Sequence, residues 1–168
     1  MAIFSVNTSR FDPYKVYPFL VYFGTGNTPV AAVSKVTALK RTSAPIDYDE
    51  GGYGITIKGL GRTTYEPVTL SRGMTFDSDF ETWANAAQVV KSGAPSTSLA
   101  NLRKNIRIVL LNEASQPVRA YKLSRCWVSE FQAMPDLDAA QNGIAIEYIK
   151  IVYEGFERDA SVTEVKET

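Results

Sequence analysis

The sequence predicts a mainly β fold, a small β-barrel or sandwich with one flanking α-helix over about residues 77–91. Three observations carry that prediction. Short runs rich in β-branched and aromatic residues are separated by Gly, Pro, Asn and Ser clusters. Only one segment has helical periodicity. No internal repeat or linker divides the 168 residues, so 1–168 reads as a single domain, long enough to bury roughly 70% of its unfolded surface without disulfides.

The elements follow in order. "VYPFLVYFG" (16–24) is aromatic and β-branched and ends at the turn cluster "GTGNTP". In "VAAVSKVTALKR" (30–41), Val33 is out of phase with Val36, with Ala38 the small in-phase neighbour, so a bulge or bend is expected. "GITIKG" is a short strand. "TYEPVTLSRG" (64–73) contains Pro67, which marks an edge or a break because proline cannot donate to a ladder.

The helix lies in "TFDSDFETWANAAQVVKSGAP". Asp77 or Ser78 can cap it, acids fill its first turn, and Phe80, Trp83, Ala84 and Ala87 recur at i, i+3, i+4, i+7, predicting the face that packs on the core. Lys91 sits in the expected last turn, and Gly93 and Pro95 stop it. "SGAPSTSLANL" then reads as a small-residue loop. "NIRIVLLN" and "VRAYKLSRCWV" flank "EASQP", the right length for a hairpin connection. "GIAIEYIKIVYEGFE" (143–157) is the longest strand. Its Ile144 and Ile146 oppose Ile149 and Ile151, which implies burial on both sides or a bulge near Tyr148. "RDASVTEVKET" is polar and reads as a mobile tail from about residue 159.

Composition narrows the function classes. Eighteen basic and eighteen acidic residues cancel, so nothing asks for duplex DNA or an anionic membrane as partner. Arg103, Lys104 and Arg107 on one strand and Arg119, Lys122 and Arg125 on the next form a modest basic strip if the strands pair. Such a strip could face a nucleic acid, but is more often a solvated face laced with ion pairs. Two tryptophans and nine tyrosines exceed what one small core needs and hint at interfaces. The lone Cys126, set in "SRCWVSEF", excludes an intrachain disulfide and a two-cysteine metal knuckle, and fits a small buried hydrophobe. There is no histidine, which removes Ser-His and Cys-His nucleophiles, most zinc sites and the usual neutral-pH base. The first residues have no charged start followed by an unbroken apolar run, so the expectation is a protein made and kept in the cytosol, or exported by a route its sequence does not encode. No stretch reaches the length of a membrane helix, and no membrane anchor is expected.

The stretch "IDYDEGGYG" (46–54) is the one that looks chemical. Counted from Asp47 as a calcium loop, positions 1, 3 and 6 fit, but Gly51 stands at position 5 and Lys58 at position 12, and no helix flanks it. Gly51 and Gly52 then read as turn residues beside solvated carboxylates. "GTGNTP" and "GLGRTT" lack the third glycine, the helix or the Lys-Ser/Thr pair of nucleotide loops, and are turns. Asp77, Asp79 and Glu81 are helix-start acids rather than a catalytic cluster. No catalytic, metal or cofactor site is expected.

Several segments, in order, resemble one family. "DPYKVYPFLVYF", "AVSKVTAL", "IDYDEGG", "YEPVTLSRGMTFDSDFETW", "IRIVLLNEASQPVRAYKLSRCW" and "IAIEYIKIVYEGFERD" together resemble the contractile phage tail-tube proteins over roughly residues 12–158. Strand, Arg-Gly and an Asp-Phe-x-x-Trp helix make the most specific piece. Two features depart from the family pattern: Ala38 stands where Gly is usual, and Pro67 interrupts a strand. That family includes the inner-tube proteins of phage-like contractile injection systems and shares its fold with the type VI secretion tube protein.

The resemblance implies a tail-tube-like barrel with an extended hairpin, a non-enzymatic structural subunit, and homo-hexameric rings stacked into a hollow conduit inside a sheath. It implies that Ile46, Asp47, Tyr48, Asp49, Glu50, Gly51, Gly52 and Tyr53 belong to a hairpin touching the neighbouring ring. Implied partners are other copies of the chain, a sheath protein, baseplate or initiator, tube-terminating proteins, and an effector or tape-measure protein in the bore. Assembly is expected in the cytoplasm, as part of a phage tail or a phage-tail-like particle. The alternative from another class is a monomeric β-barrel binding module using the acidic Gly-Gly loop.

Overall fold

A computed structural model describes residues 4–30, 32–52, 54–87 and 99–166. In chain order the elements are β1 (Phe19–Phe23), β2 (Val33–Val36), β3 (Arg41–Tyr48), β4 (Ile57–Tyr65), β5 (Val68–Gly73), α1 (Asp79–Ala86), α2 (Leu99–Leu102), β6 (Lys104–Leu111), β7 (Pro117–Gln132), β8 (Ile146–Val152) and β9 (Gly155–Arg158). A seven-stranded antiparallel sheet runs β1-β6-β7-β8-β5-β2, with β9 added on β7, while β3 and β4 pair only with each other.

β7 organises the sheet. Its first half pairs with β6 on one edge and β9 on the other, and its second half pairs with β8. Between the halves, Arg125 takes a left-handed φ of 53°, and its N–H donates to the side-chain oxygen of Asn105 at 3.0 Å. The β6 register slips between Lys104 and Ile106 at the same place. This bulge bends β7, so that one strand serves both halves of a curled sheet. The curl brings β1 and β2, the two ends of the strand order, onto one core: Val21, Val33 and Val36 all pack with Leu70, Ile106, Leu123, Cys126, Ile149 and Ile151. The ladder does not close. Between β1 and β2 the gap is bridged by the connecting segment, where Val30 N–H donates to Val21 O at 2.7 Å.

Helix α1 covers the open mouth of that core, with Phe80, Trp83 and Ala84 buried as the i, i+3, i+4 pattern requires. Ala87, the fourth expected core position, is half-buried. The helix starts at Asp79 rather than 77, and the expected positions 88–91 lie outside the described residues. Ser78 occupies the cap without a side-chain bond; Asp77 supplies one instead, its Oδ1 accepting from Asp79 N–H at 2.8 Å. Of the expected small-residue loop, residues 92–98 lie outside the described residues and 99–102 form the short turn α2, whose Leu102 carbonyl accepts from Trp83 Nε1 at 2.9 Å.

The expected strand over 143–157 is two. β8 ends at Val152 and β9 begins at Gly155, with no register shift at Tyr148. Glu147, Ile149 and Ile151 hold one inward phase, and Ile146 and Ile144 lie outside it. The inward phase escaped recognition because one of its members is a buried carboxylate. Pro67 does mark a break, between β4 and β5, and the register slip between Val33 and Lys35 is the expected bulge of β2.

A second, smaller cluster buries the outer face of β1, β6 and β7: Val109, Leu111 and Ala120 pack with Leu20, Tyr22 and Val162. Val162 belongs to the segment whose polarity suggested a mobile tail from about residue 159. Through Glu164 that segment is tied to the body. Asp159 N–H donates to Ala120 O at 2.9 Å, and the Glu164 carboxylate accepts from Ser5 N, Val6 N and Asn7 N at 2.7, 3.0 and 2.9 Å. Among the described residues, no helix is long and apolar enough to cross a membrane.

Candidate assembly surfaces

The hairpin β3–β4 is a free-standing ribbon. Every residue of β3 is exposed, yet the two strands pair along their length, from Tyr48↔Ile57 back to Arg41↔Tyr65, with one register shift between Ser43 and Pro45. Its base is held by Tyr65 against Tyr153 and Phe156, with ring centroids 5.7 Å apart in both pairs, and by Glu66 N–H on Lys40 O at 3.1 Å. An isolated two-stranded ribbon is marginal in water.

Its two faces differ. Directly paired residues share a face, and the pairs Tyr48↔Ile57 and Ile46↔Gly59 make one face of Ile46, Tyr48, Ile57 and glycine. The other face holds Asp47 and Lys58, joined by an ion pair at 2.8 Å, and Leu60. A bulge between Ser43 and Pro45 brings the Ala44 carbonyl against Gly61, where a Cβ would overlap it. At the tip, Gly52 has φ 101°, a turn conformation open to glycine and costly for other residues. Asp49, Glu50 and Gly51 share that tip. Tyr53 lies outside the described residues.

The acids of "IDYDEGG" are thus split. Asp47 is engaged by Lys58 across the ribbon, and Asp49 and Glu50 are on the turn. Among the described residues, no three metal-ligating side chains converge. The basic residues expected on these two strands are mostly engaged: Arg103, just ahead of β6, and Arg125 both reach Glu154, at 2.7 and 3.1 Å, and Lys122 reaches Asp159 at 3.0 Å. Arg107 lies over the Tyr22 ring at 4.4 Å and Lys104 over Trp83 at 5.5 Å.

A second surface was not recognised from the sequence. At the far end of β5 and the start of β8, Met74, Phe76, Met134 and Ile144 are exposed, Phe76 fully and Ile144 at 82%. Met74, Phe76 and Met134 line a depression of about 310 Å³. The hairpin base adjoins Val68, whereas this patch adjoins Gly73, and β5 runs between them. The sequence signal was Phe76 in "RGMTFDSDF", a large apolar residue in a turn between a strand end and a helix cap.

Beneath the patch, a buried charge network fixes the helix start. Arg72 is fully buried. Its Nε donates to Glu147 Oε1 at 2.5 Å and its Nη2 to the Asp77 carbonyl at 2.5 Å. Nη1 lies 3.2 Å from Asp77 Oδ1, and the guanidinium stacks on Phe80 at 4.1 Å. The Asp79 N–H, and after it Arg72, hold the Asp77 carboxyl below its usual range against the opposing effect of burial. Asp77 is therefore a structural anchor. Burial pushes the Cys126 thiol up to about 12, leaving it an inert core residue.

The family model for the T4-like virus tail tube protein gp19 matches residues 15–157. Among the solved structures similar to this chain are the following three. One, from the cryo-EM structure of the anti-feeding prophage baseplate, is 25% identical with a TM-score of 0.70, covering 89% of this chain and 97% of that one. Another, from the sheath-tube complex of an extracellular contractile injection system in the extended state, is 22% identical with a TM-score of 0.75, covering 95% and 99%. A third, from the anti-feeding prophage tube-terminating cap, is 24% identical with a TM-score of 0.74, covering 95% and 99%. No curated protein matches the chain.

Proposed function

We propose that six copies close into a ring and that rings stack into a hollow conduit, from the premise that this chain belongs to the T4-like virus tail tube protein gp19 family. A tail tube protein is a structural component of a phage tail or tail-like particle. The observation that supports stacking is the free-standing hairpin, a ribbon with a wholly exposed β3 that needs a covering partner to keep its shape. Residues 46–53 form the part that touches the neighbouring ring.

The role is passive and non-enzymatic: a rigid tube conducts cargo while a surrounding sheath contracts. The similar structures come from a sheath-tube complex, a baseplate and a tube-terminating cap. By that likeness the partners of this chain are a sheath protein, a baseplate or initiator, a terminator, and an effector or tape-measure protein in the bore. A contractile injection system is the reading these neighbours favour over a DNA-conducting tail. The monomeric binding-module reading is not favoured, because Asp47 in its supposed ligand loop is already paired with Lys58.

Negative-stain electron microscopy of the purified chain at high concentration, with its mass by light scattering, tests the proposal. Hexameric rings or hollow stacked tubes are expected. A monodisperse monomer at every concentration, unchanged by adding preformed tube ends, would sink it.

A further inference from the structure

We infer that the glycine-bearing apolar face of the hairpin docks on the Met74–Phe76–Met134–Ile144 patch of a second copy, so that unlike ends of identical chains meet. The inference rests on the stacked-tube reading and names the two surfaces that would make the stacking contact. Each surface is orphaned in the single chain. The hairpin exposes Ile46, Tyr48 and Ile57 on one face, and the patch exposes Phe76 fully. A large apolar side chain held in water beside a depression costs free energy that burial recovers.

Three observations choose a second copy as the occupant. First, the surfaces sit at opposite ends of β5, so one chain cannot bring its own hairpin onto its own patch. A second copy displaced along that direction can, and a contact between unlike surfaces leaves one of each free for the next copy. Second, Gly59 leaves a gap beside Ile46 and Ile57 on the apolar face of the ribbon, so a partner can approach the backbone closely there. Phe76, projecting fully from its turn, is the complementary shape.

Third, the charges fit the flank of the ribbon and not its tip. Asp79 and Glu81, exposed beside Phe76, form no ion pair among the described residues, and neither does Arg62 on the ribbon. Opposite charges attract across the contact, while Asp49 and Glu50 at the tip are repelled from the acidic rim.

Crosslinking tests the contact. Ile57→Cys and Phe76→Cys are combined in one chain, tubes are formed, and a short bis-maleimide is added. Cys126 stays silent because it is buried. The expected result is a ladder of covalent multimers on a denaturing gel, with each single substitution giving none. Dimers from Ile57→Cys alone would mean that hairpins meet hairpins, and would overturn the inference. In parallel, Phe76→Asp, at a site outside the core, is expected to keep the wild-type melting curve and raise the concentration needed for tubes at least tenfold. Phe76→Asp tubes at the wild-type concentration would equally overturn it. If wild-type tubes form and no ladder appears, this contact is wrong and the tube reading stands. If the wild-type chain forms neither rings nor tubes, both are wrong.

Discussion

Arg72 is the residue on which the helix seat depends. It is fully buried between Glu147, the Asp77 backbone and the Phe80 ring. Removing one partner of a buried pair strands the other charge, so Arg72→Met is expected to lower the unfolding free energy by about 3–5 kcal/mol. Urea denaturation reads that loss. The double variant Arg72→Met/Glu147→Met is expected to recover most of it, since no charge is then left in the core. A single-variant cost under about 1 kcal/mol would mean that water reaches Glu147. At the other end of the chain, burial pushes the Glu164 carboxyl up. Hydrogen bonds from Ser5, Asn7 and Val6 together outweigh it and hold the group at about 2. The folded value lies below the unfolded one of about 4.3. The contribution of this clasp is therefore complete above that unfolded value and is lost as pH falls toward about 2. The Val6 and Asn7 amide shifts are expected to titrate by NMR with a midpoint near the lower value. A midpoint at the unfolded value would mean that the carboxylate is free.

At the scale of elements, the hairpin and the body are nearly independent. A Cβ at Gly61 would overlap the Ala44 carbonyl oxygen and crowd the Ile46 side chain at 3.0 Å, so Gly61→Ala must shift the ribbon where its bulge sets the register. β3 contributes nothing to the buried core. The body is thus expected to keep its unfolding free energy within about 0.5 kcal/mol, while tube formation fails. Equal loss of both, by thermal unfolding and electron microscopy, would show that the ribbon supports the body. The same division explains what was legible in the sequence. Strands with an alternating buried face, such as Val68–Gly73, and the helix carrying Phe80, Trp83 and Ala84, announce themselves because burial imposes a period. β8 misled because Glu147 stands in an inward position that only Arg72, 75 residues away, makes tenable. The bend of β7 at Arg125 left no mark, since Asn105, which takes over its backbone bond, is ordinary in sequence. The Phe76 patch was invisible for a related reason: its residues come from three separate turns, and nothing local says that they meet.

For the whole molecule, what matters is that the ribbon face and the Phe76 patch are unlike and lie at opposite ends of β5. A self-complementary surface would stop at a dimer, whereas a translation from ring to ring through unlike ends leaves a free surface for the next copy. Eighteen charges of each sign leave no net repulsion to oppose that growth. Such an arrangement has a vulnerability that a closed dimer lacks. A chain with a patch and no ribbon can receive a neighbour but cannot reach the next one. Replacing residues 46–59 by an Asn-Gly turn makes such a chain, because Pro45 and Leu60 are directly paired and that dipeptide closes a hairpin. Alone, the variant is expected to fold with the wild-type melting curve and form no tubes. Mixed with wild type at constant total concentration, it enters ends that expose ribbons and blocks them, so mean tube length in electron micrographs falls as its fraction rises. Lengths that ignore the fraction, together with tubes from the variant alone, would mean that the ribbon is dispensable and that copies stack through other surfaces. A fall in length is what growth through unlike ends requires, since each blocked position removes a ribbon from which the next copy would be held.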